Sequence, residues 1–192
     1  SPVVIRVKMD IAILNGNPDP GRFSLDSVLA NLNKELTTAG HRVNILNLRD
    51  LEIKFCTGCW SCWWGPTPGE CIFKDQSAEV CREVIRSDLV IMASPALMGF
   101  PSAELKKVLD KLIPLLHPYV KLVNGECHHR KRYDRYPLLG LILERDVDTD
   151  DEDARIINRW FRRFSLNFRT RVILTTGIEK TPVEVLNAIG AV

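Results

Sequence analysis

The stretch Asp10-Ile11-Ala12-Ile13-Leu14-Asn15, continued by Gly16-Asn17-Pro18-Asp19-Pro20-Gly21-Arg22-Phe23 and then Ser24-Leu25-Asp26-Ser27-Val28-Leu29, decides the fold. Its first residues are a short apolar run bounded by turn formers, as in a strand buried on both faces. The residues from Gly16 to Phe23 include two prolines and two glycines, which suit a loop and not the interior of a regular element. Beyond them Leu25, Val28, Leu29, Leu32 and Leu36 recur at helical spacing. Ser24 is placed to cap that helix and Gly40 to close it. Strand, loop and helix in this order form the opening unit of a parallel sheet covered by helices.

The same alternation continues outward. Arg42–Leu48 reads as a second strand, and its polar positions Arg42, Asn44 and Asn47 suit a sheet edge. A helix is expected from about Gln76 to Arg86, with Asp75 as cap, then a third strand, Asp88–Ala93, and a loop, Ser94–Pro101. Leu105, Val108, Leu109 and Leu112 define the next helix, which Pro114 ends or kinks. Pro137–Leu143 is the fourth strand, and Ala154, Ile157, Trp160, Phe161 and Phe164 mark the fourth helix. Arg171–Thr176 is the fifth strand, and Thr181-Pro182 opens a last helix with proline at its first position. The pattern predicts a doubly wound five-stranded parallel sheet of order 2-1-3-4-5 in three α/β/α layers. It fills a single domain, 9–192, with a cysteine-rich insertion at 49–74. Residues 1–8 precede Met9 and read as an N-terminal extension or a non-native remnant.

The 192 residues suit one domain, and 45% hydrophobic with 26% charged content is ordinary for a globular protein. A net charge of +2 is too mild to argue for nucleic acid. Charged residues interrupt every apolar run before it reaches membrane-spanning length, and no basic-then-apolar leader is present, so a cytoplasmic location is expected. His128-His129-Arg130-Lys131-Arg132 and the acidic stretch Asp146 to Asp153 read as solvated loops, although the basic one would also attract an anionic substrate.

In an open parallel sheet, ligands bind beyond the carboxyl ends of the strands where the strand order reverses. For this order the reversal lies between strands one and three, which brings loops 15–27 and 94–101 together. The first ends on a helix N-terminus, where amides, the helix dipole and the Ser24 and Ser27 hydroxyls favour a phosphate. It is neither a G-x-G-x-x-G fingerprint nor a Walker loop. A terminal phosphate on a mononucleotide suits it better, with an ordinary turn as the alternative. The second loop, Ser94-Pro95-Ala96-Leu97-Met98-Gly99-Phe100-Pro101, offers amides and flat apolar surface to a planar ring.

Six cysteines in a chain of this length do not suggest a disulfide framework. Cys56, Cys59 and Cys62 repeat every third residue, and Cys71 adds a fourth thiol. Three readings stay open: a [4Fe–4S] cluster, a structural zinc site, and free or redox-active thiols without metal. Trp60, Trp63 and Trp64 interleave these cysteines, Cys81 is placed in a helical core, and Cys127 with His128 and His129 falls in a solvated loop.

Taken together, these motifs resemble the flavodoxin-like NAD(P)H-dependent FMN reductase and quinone reductase superfamily. The carriers are Ile13 to Pro20, Ser94 to Gly99 with Leu105 to Lys111, and the cysteine segment, which looks like a branch containing iron–sulfur flavoproteins. The resemblance implies FMN as cofactor, NAD(P)H as co-substrate, a small-molecule electron acceptor such as a quinone or flavin, and a homodimer or homotetramer. It places Asn17, Asp19, Arg22, Ser24, Leu25 and Asp26 around the FMN phosphate, and Pro95, Ala96, Leu97, Met98 and Gly99 along the ring. It offers Cys56, Cys59, Cys62 and Cys71 as cluster ligands, which makes an electron-transfer protein with FMN and a [4Fe–4S] cluster the alternative. Arg130 to Pro137 is expected at an active-site rim or subunit contact. The chain departs from the pattern at Leu97, where an aromatic is usual, at Glu144-Arg145-Asp146, where a small Gly-containing loop is usual, and in its longer last cysteine gap. Flavin carries the hydride step itself, so no catalytic acid or base is expected from the protein.

Overall fold

The computed structural model describes residues 8–192, so nearly all of the extension read at 1–8 lies outside the described residues. Five parallel strands form the sheet in the expected sense. β1 (Asp10–Asn15) lies between β2 (Arg42–Asn47) and β3 (Leu89–Leu97), and β3 is followed in space by β7 (Leu138–Arg145) and β8 (Val172–Gly177). β2 is the edge strand that its polar alternation predicts. The remaining strands are β4 (Phe100–Pro101), β5 (Leu116–Val123) and β6 (Glu126–Lys131).

Two apolar layers flank the sheet because β1 and β3 are buried on both faces. Ile11 and Ile13 pack with Leu25, Leu29, Leu32 and Leu36 of α1 (Leu25–Thr38) and with Val185 of α6 (Val183–Gly190). Ala12 and Leu14 face the opposite layer. There they meet Val80 and Val84 of α3 (Ser77–Arg86), Leu105, Val108 and Leu109 of α4 (Ala103–Asp110), and Ile157 and Phe161 of α5 (Asp151–Phe168). α5 starts on a full capping box between Asp150 and Asp153, with three acidic residues in its first turn.

Several local expectations change. The segment 94–101 is not an open loop: β3 runs through Leu97, turns at Met98 and Gly99, both at positive φ, and returns as β4. Its prolines are tolerated because Pro95 and Pro101 occupy the end of a strand and a two-residue edge strand. Residues 116–131 form the antiparallel hairpin β5–β6, so Cys127, His128 and His129 lie on a strand and not in a loop. Asn124-Gly125 turns that hairpin, both residues at positive φ. Pro182 occupies the N-cap of α6, one place before the position expected for it. Gly40 takes the left-handed backbone just beyond α1, as expected of a helix-closing glycine.

Candidate functional site

At the switch point, the β1–α1 loop is built on a polar network. Asn15 is 1% exposed and Asn17 is fully buried. Both carboxamides donate to Asp26 Oδ1, at 2.8 and 2.9 Å, and Arg49 pairs with Asp26 Oδ2 at 2.7 Å. Burial would raise the Asp26 carboxyl, but hydrogen bonds from Asn15, Asn17 and Arg49 outweigh it and hold the group below its ordinary range. The loop also satisfies its own amides. Asn17 N–H donates to Asn15 Oδ1, Asp19 N–H to Asn17 Oδ1, and Gly21 N–H to Asp19 Oδ1. Gly16 sits where a Cβ would meet Leu105 Cβ at 2.8 Å, and its carbonyl accepts from Ser102 Oγ at 2.5 Å, which ties this loop to the start of α4.

Only some of the residues expected around a phosphate therefore aim at the crevice. Leu25 is fully buried in the core, Asn17 and Asp26 are held in the network, Asp19 closes the loop, and Arg22 forms an ion pair with Asp146. Ser24 is different. Its side chain makes no cap bond to the helix; instead its N–H and its hydroxyl both donate to Glu144 Oε1, at 3.0 and 2.9 Å. Glu144 comes from the end of β7, opposite Pro95 in register. The sequence marked Glu144 as a departure from a pattern but gave no sign that it reaches the other side of the crevice.

Along the expected ring side, Pro95 and Ala96 are buried, Leu97 is half-buried, and Met98 is fully exposed at the tip of the turn. A Cβ on Gly99 would meet Asp153 Oδ1 at 2.8 Å, so a side chain there would push the Asp153 carboxylate out of its capping position. Ser94 and Ser102 brace the base of this turn through a 2.9 Å bond from Ser102 N–H to Ser94 Oγ.

The cysteine segment covers a different region. Cys56, Cys59, Cys62 and Cys71 line one cavity of about 460 Å³, walled by Trp60, Leu109, Trp160 and Phe164. Trp63 is buried beside it and donates from its indole to Leu116 O at 3.0 Å. At the cavity wall the Lys111 side chain is 2% exposed and Asp75 4%. The Lys111 ammonium lies 3.3 Å from Asp75 and 3.1 Å from Cys71 Sγ, with its charge over the Phe73 ring. Burial would raise the Asp75 carboxyl, but hydrogen bonds from Ser77, the Lys54 amide and Lys111 bring it down to about 2. Burial pushes the Cys62 thiol up, with Cys71, Cys56 and Cys59 adding to the effect, and burial pushes Cys81 up to about 12. Cys81 is partly buried and packs against the core.

Two implied groups can be tested against this geometry. The Ser24 donors already converge on one anionic oxygen at the N-terminus of a 14-residue helix, so the donor set suits a phosphate. A [4Fe–4S] cluster or zinc fits less well: among the described residues, no group of three or more His, Cys, Asp or Glu side chains is gathered to hold a metal ion. The four thiols share a cavity but do not form a ligand set in this arrangement.

The sheet order and the donors at its switch point define the flavodoxin-like class of α/β proteins. Residues 9–128 match the NADPH-dependent FMN reductase family, and the chain belongs to that family. An iron–sulfur flavoprotein of Archaeoglobus fulgidus is 36% identical over 84 residues, 44% of this chain and 37% of that protein. A second from the same organism is 29% identical over 104 residues, 54% of this chain and 48% of that protein. The chain thus spans about half, or less, of the length of these curated relatives. Among solved structures, an NAD(P)H:quinone oxidoreductase from Methanothermobacter marburgensis superposes with a TM-score of 0.64 at 17% identity, covering 96% of this chain and 98% of that one. The azoreductase AzrA superposes at 0.59 and 13% identity, with 95% and 94% coverage. No helix among the described residues is long and apolar enough to cross a membrane.

Proposed function

We propose that this chain is an FMN-dependent NAD(P)H oxidoreductase that passes hydride or electrons to quinone-like or flavin acceptors, with FMN seated at the switch point. The observation that carries this reading is the convergence of the Ser24 N–H and hydroxyl on one anionic oxygen at the start of α1, in a chain of the FMN reductase family. Ser24 and the first-turn amides of Leu25 and Asp26, which have no acceptor within the helix, would hold the phosphate. Asn17, Asp19, Arg22 and the Asp26 side chain keep the loop in shape around it. Pro95, Ala96, Leu97, Met98 and Gly99 form the turn along the ring, with Met98 exposed beside it. Bound FMN supplies the hydride-accepting chemistry. The protein's part is to fix the cofactor's two ends on rigid strand termini and exclude water between them.

The test is to purify the protein, add FMN and then NADPH without oxygen, and follow the flavin absorption. Retention of FMN through gel filtration, bleaching by NADPH and recovery on adding a quinone are expected. A protein that takes up no FMN would sink the reading.

The second reading, electron transfer through FMN and a [4Fe–4S] cluster, is supported by the iron–sulfur flavoprotein relatives and by the four cysteines around one cavity. It requires Cys56, Cys59, Cys62 and Cys71 to regroup, and Cys71 to share its sulfur with the Lys111 contact. Iron and sulfide in stoichiometric amounts after anaerobic purification would favour it. For assembly, we propose a homodimer or homotetramer, supported by the exposed Tyr119, Val120 and Leu122 on β5 and by the exposed Trp64, whose ring lies edge-on to Tyr119.

A further inference from the structure

We propose that Glu144 is the specificity-determining residue of the phosphate cradle: its carboxylate holds the place of a ligand phosphate, and a phosphorylated flavin must displace it. This rests on the switch point being the flavin site, as argued above. Ser24 spends both of its donors on Glu144 Oε1, at 3.0 and 2.9 Å, the oxygen position in which a phosphate would be held. Glu144 is 8% exposed, and its second oxygen is buried without a hydrogen-bond partner. An orphaned carboxylate oxygen is costly to keep out of water. It gains partners when the side chain leaves, so the closed arrangement is poised to open.

The surroundings make the competition electrostatic. Asp19, Asp26, Asp146 and Glu144 outnumber Arg22 and Arg49, and both arginines are already paired with carboxylates. A phosphate brought beside a resident Glu144 would add like charge in a partly desolvated site. The Arg22–Asp146 ion pair closes the same gap, between the β1–α1 loop and the end of β7. Glu144 therefore sets the preference between a flavin with a terminal phosphate and one ending in a neutral hydroxyl. The latter brings no charge to the carboxylate.

The experiment is to measure FMN and riboflavin dissociation constants, by quenching of flavin fluorescence, for the wild-type chain, Glu144→Gln and Glu144→Ala. FMN is expected to bind about tenfold tighter to Glu144→Ala, with Glu144→Gln in between because the amide still fills the cradle without its charge. Riboflavin affinity is expected to change by less than about twofold. FMN affinity that is unchanged or weaker in both variants, or a riboflavin gain equal to that of FMN, would overturn the proposal. Should Glu144→Ala lose its cooperative melting transition, the near-isosteric Glu144→Gln carries the comparison alone. Neither flavin binding any of the three chains would refute the flavin site itself, whereas binding that ignores residue 144 refutes only the role of Glu144.

Discussion

The switch-point crevice and the cavity behind the cysteines lie on the same domain, yet their polar groups are managed in opposite ways. In the crevice, Asn15, Asn17, Asp26 and Arg49 form a connected network, and at the start of α1 Ser24 donates twice to Glu144. In the cavity, much of the wall is apolar, and its buried charge is Lys111, paired with Asp75, while the Lys106–Asp110 pair on the same wall is solvent-exposed. Under the proposed function, the first is pre-formed for an anion that comes and goes. The second invests its charge in holding the cysteine segment against α4, so its polar groups are structural.

If that contrast is right, the largest loss of stability comes from the cavity side. Lys111→Met leaves the Asp75 carboxylate buried without its cation and is expected to cost about 3 kcal/mol in urea unfolding. The double variant Lys111→Met with Asp75→Asn is expected to recover part of that. Equal losses in the single and double variants would mean that the pair is not the unit. Next comes the close packing under the crevice. Gly16→Ala drives a Cβ into Leu105 and Ser102 and is expected to cost about 2 kcal/mol. It should also weaken FMN binding, since the loop must shift.

Acid separates the regions in another way. Asp75 titrates at about 2 in the fold against an ordinary 3.8, so it binds fewer protons folded than unfolded. Its stabilisation is complete above about pH 5, declines as pH falls through about 4 and is fully lost only below about pH 2. Melting temperatures of the wild-type chain are expected to fall through that window, and those of Asp75→Asn to fall less. The smallest effect on the fold is that of Ser24→Ala. It removes a hydroxyl with no role in capping and should cost under about 1 kcal/mol in stability while lowering FMN affinity several-fold. A large stability loss there, with FMN binding unchanged, would erase the distinction between the regions.

The sheet was legible because its signals are local. The apolar runs at Asp10–Asn15 and Asp88–Ala93 and the leucine spacing of α1 each report burial directly, and their alternation leaves few topologies. The hairpin of 116–131 was not legible, because Tyr119, Val120 and Leu122 are exposed on it and no alternation of burial marks its strands. The continuation of β3 through Pro95 was hidden by the turn-forming character of Pro and Gly. At the candidate site, the loop and Ser24 could be named from sequence, since helix starts attract anions. That Glu144 reaches Ser24 could not, because the contact spans 120 residues and depends on β7 lying next to β3. The Lys111–Asp75 pair was missed for the same reason: Asp75 reads as a helix cap, and nothing local pairs it with Lys111.

The central claim is that flavin docks at the switch point and not in the cysteine-lined cavity. Hydrogen exchange read by mass spectrometry, with and without saturating FMN, addresses it directly. Slower exchange in residues 16–27 and 94–101, with the cysteine segment 56–73 unchanged, is the predicted result. Protection confined to 56–73 and the adjoining end of α4, with the two loops unaffected, would contradict it.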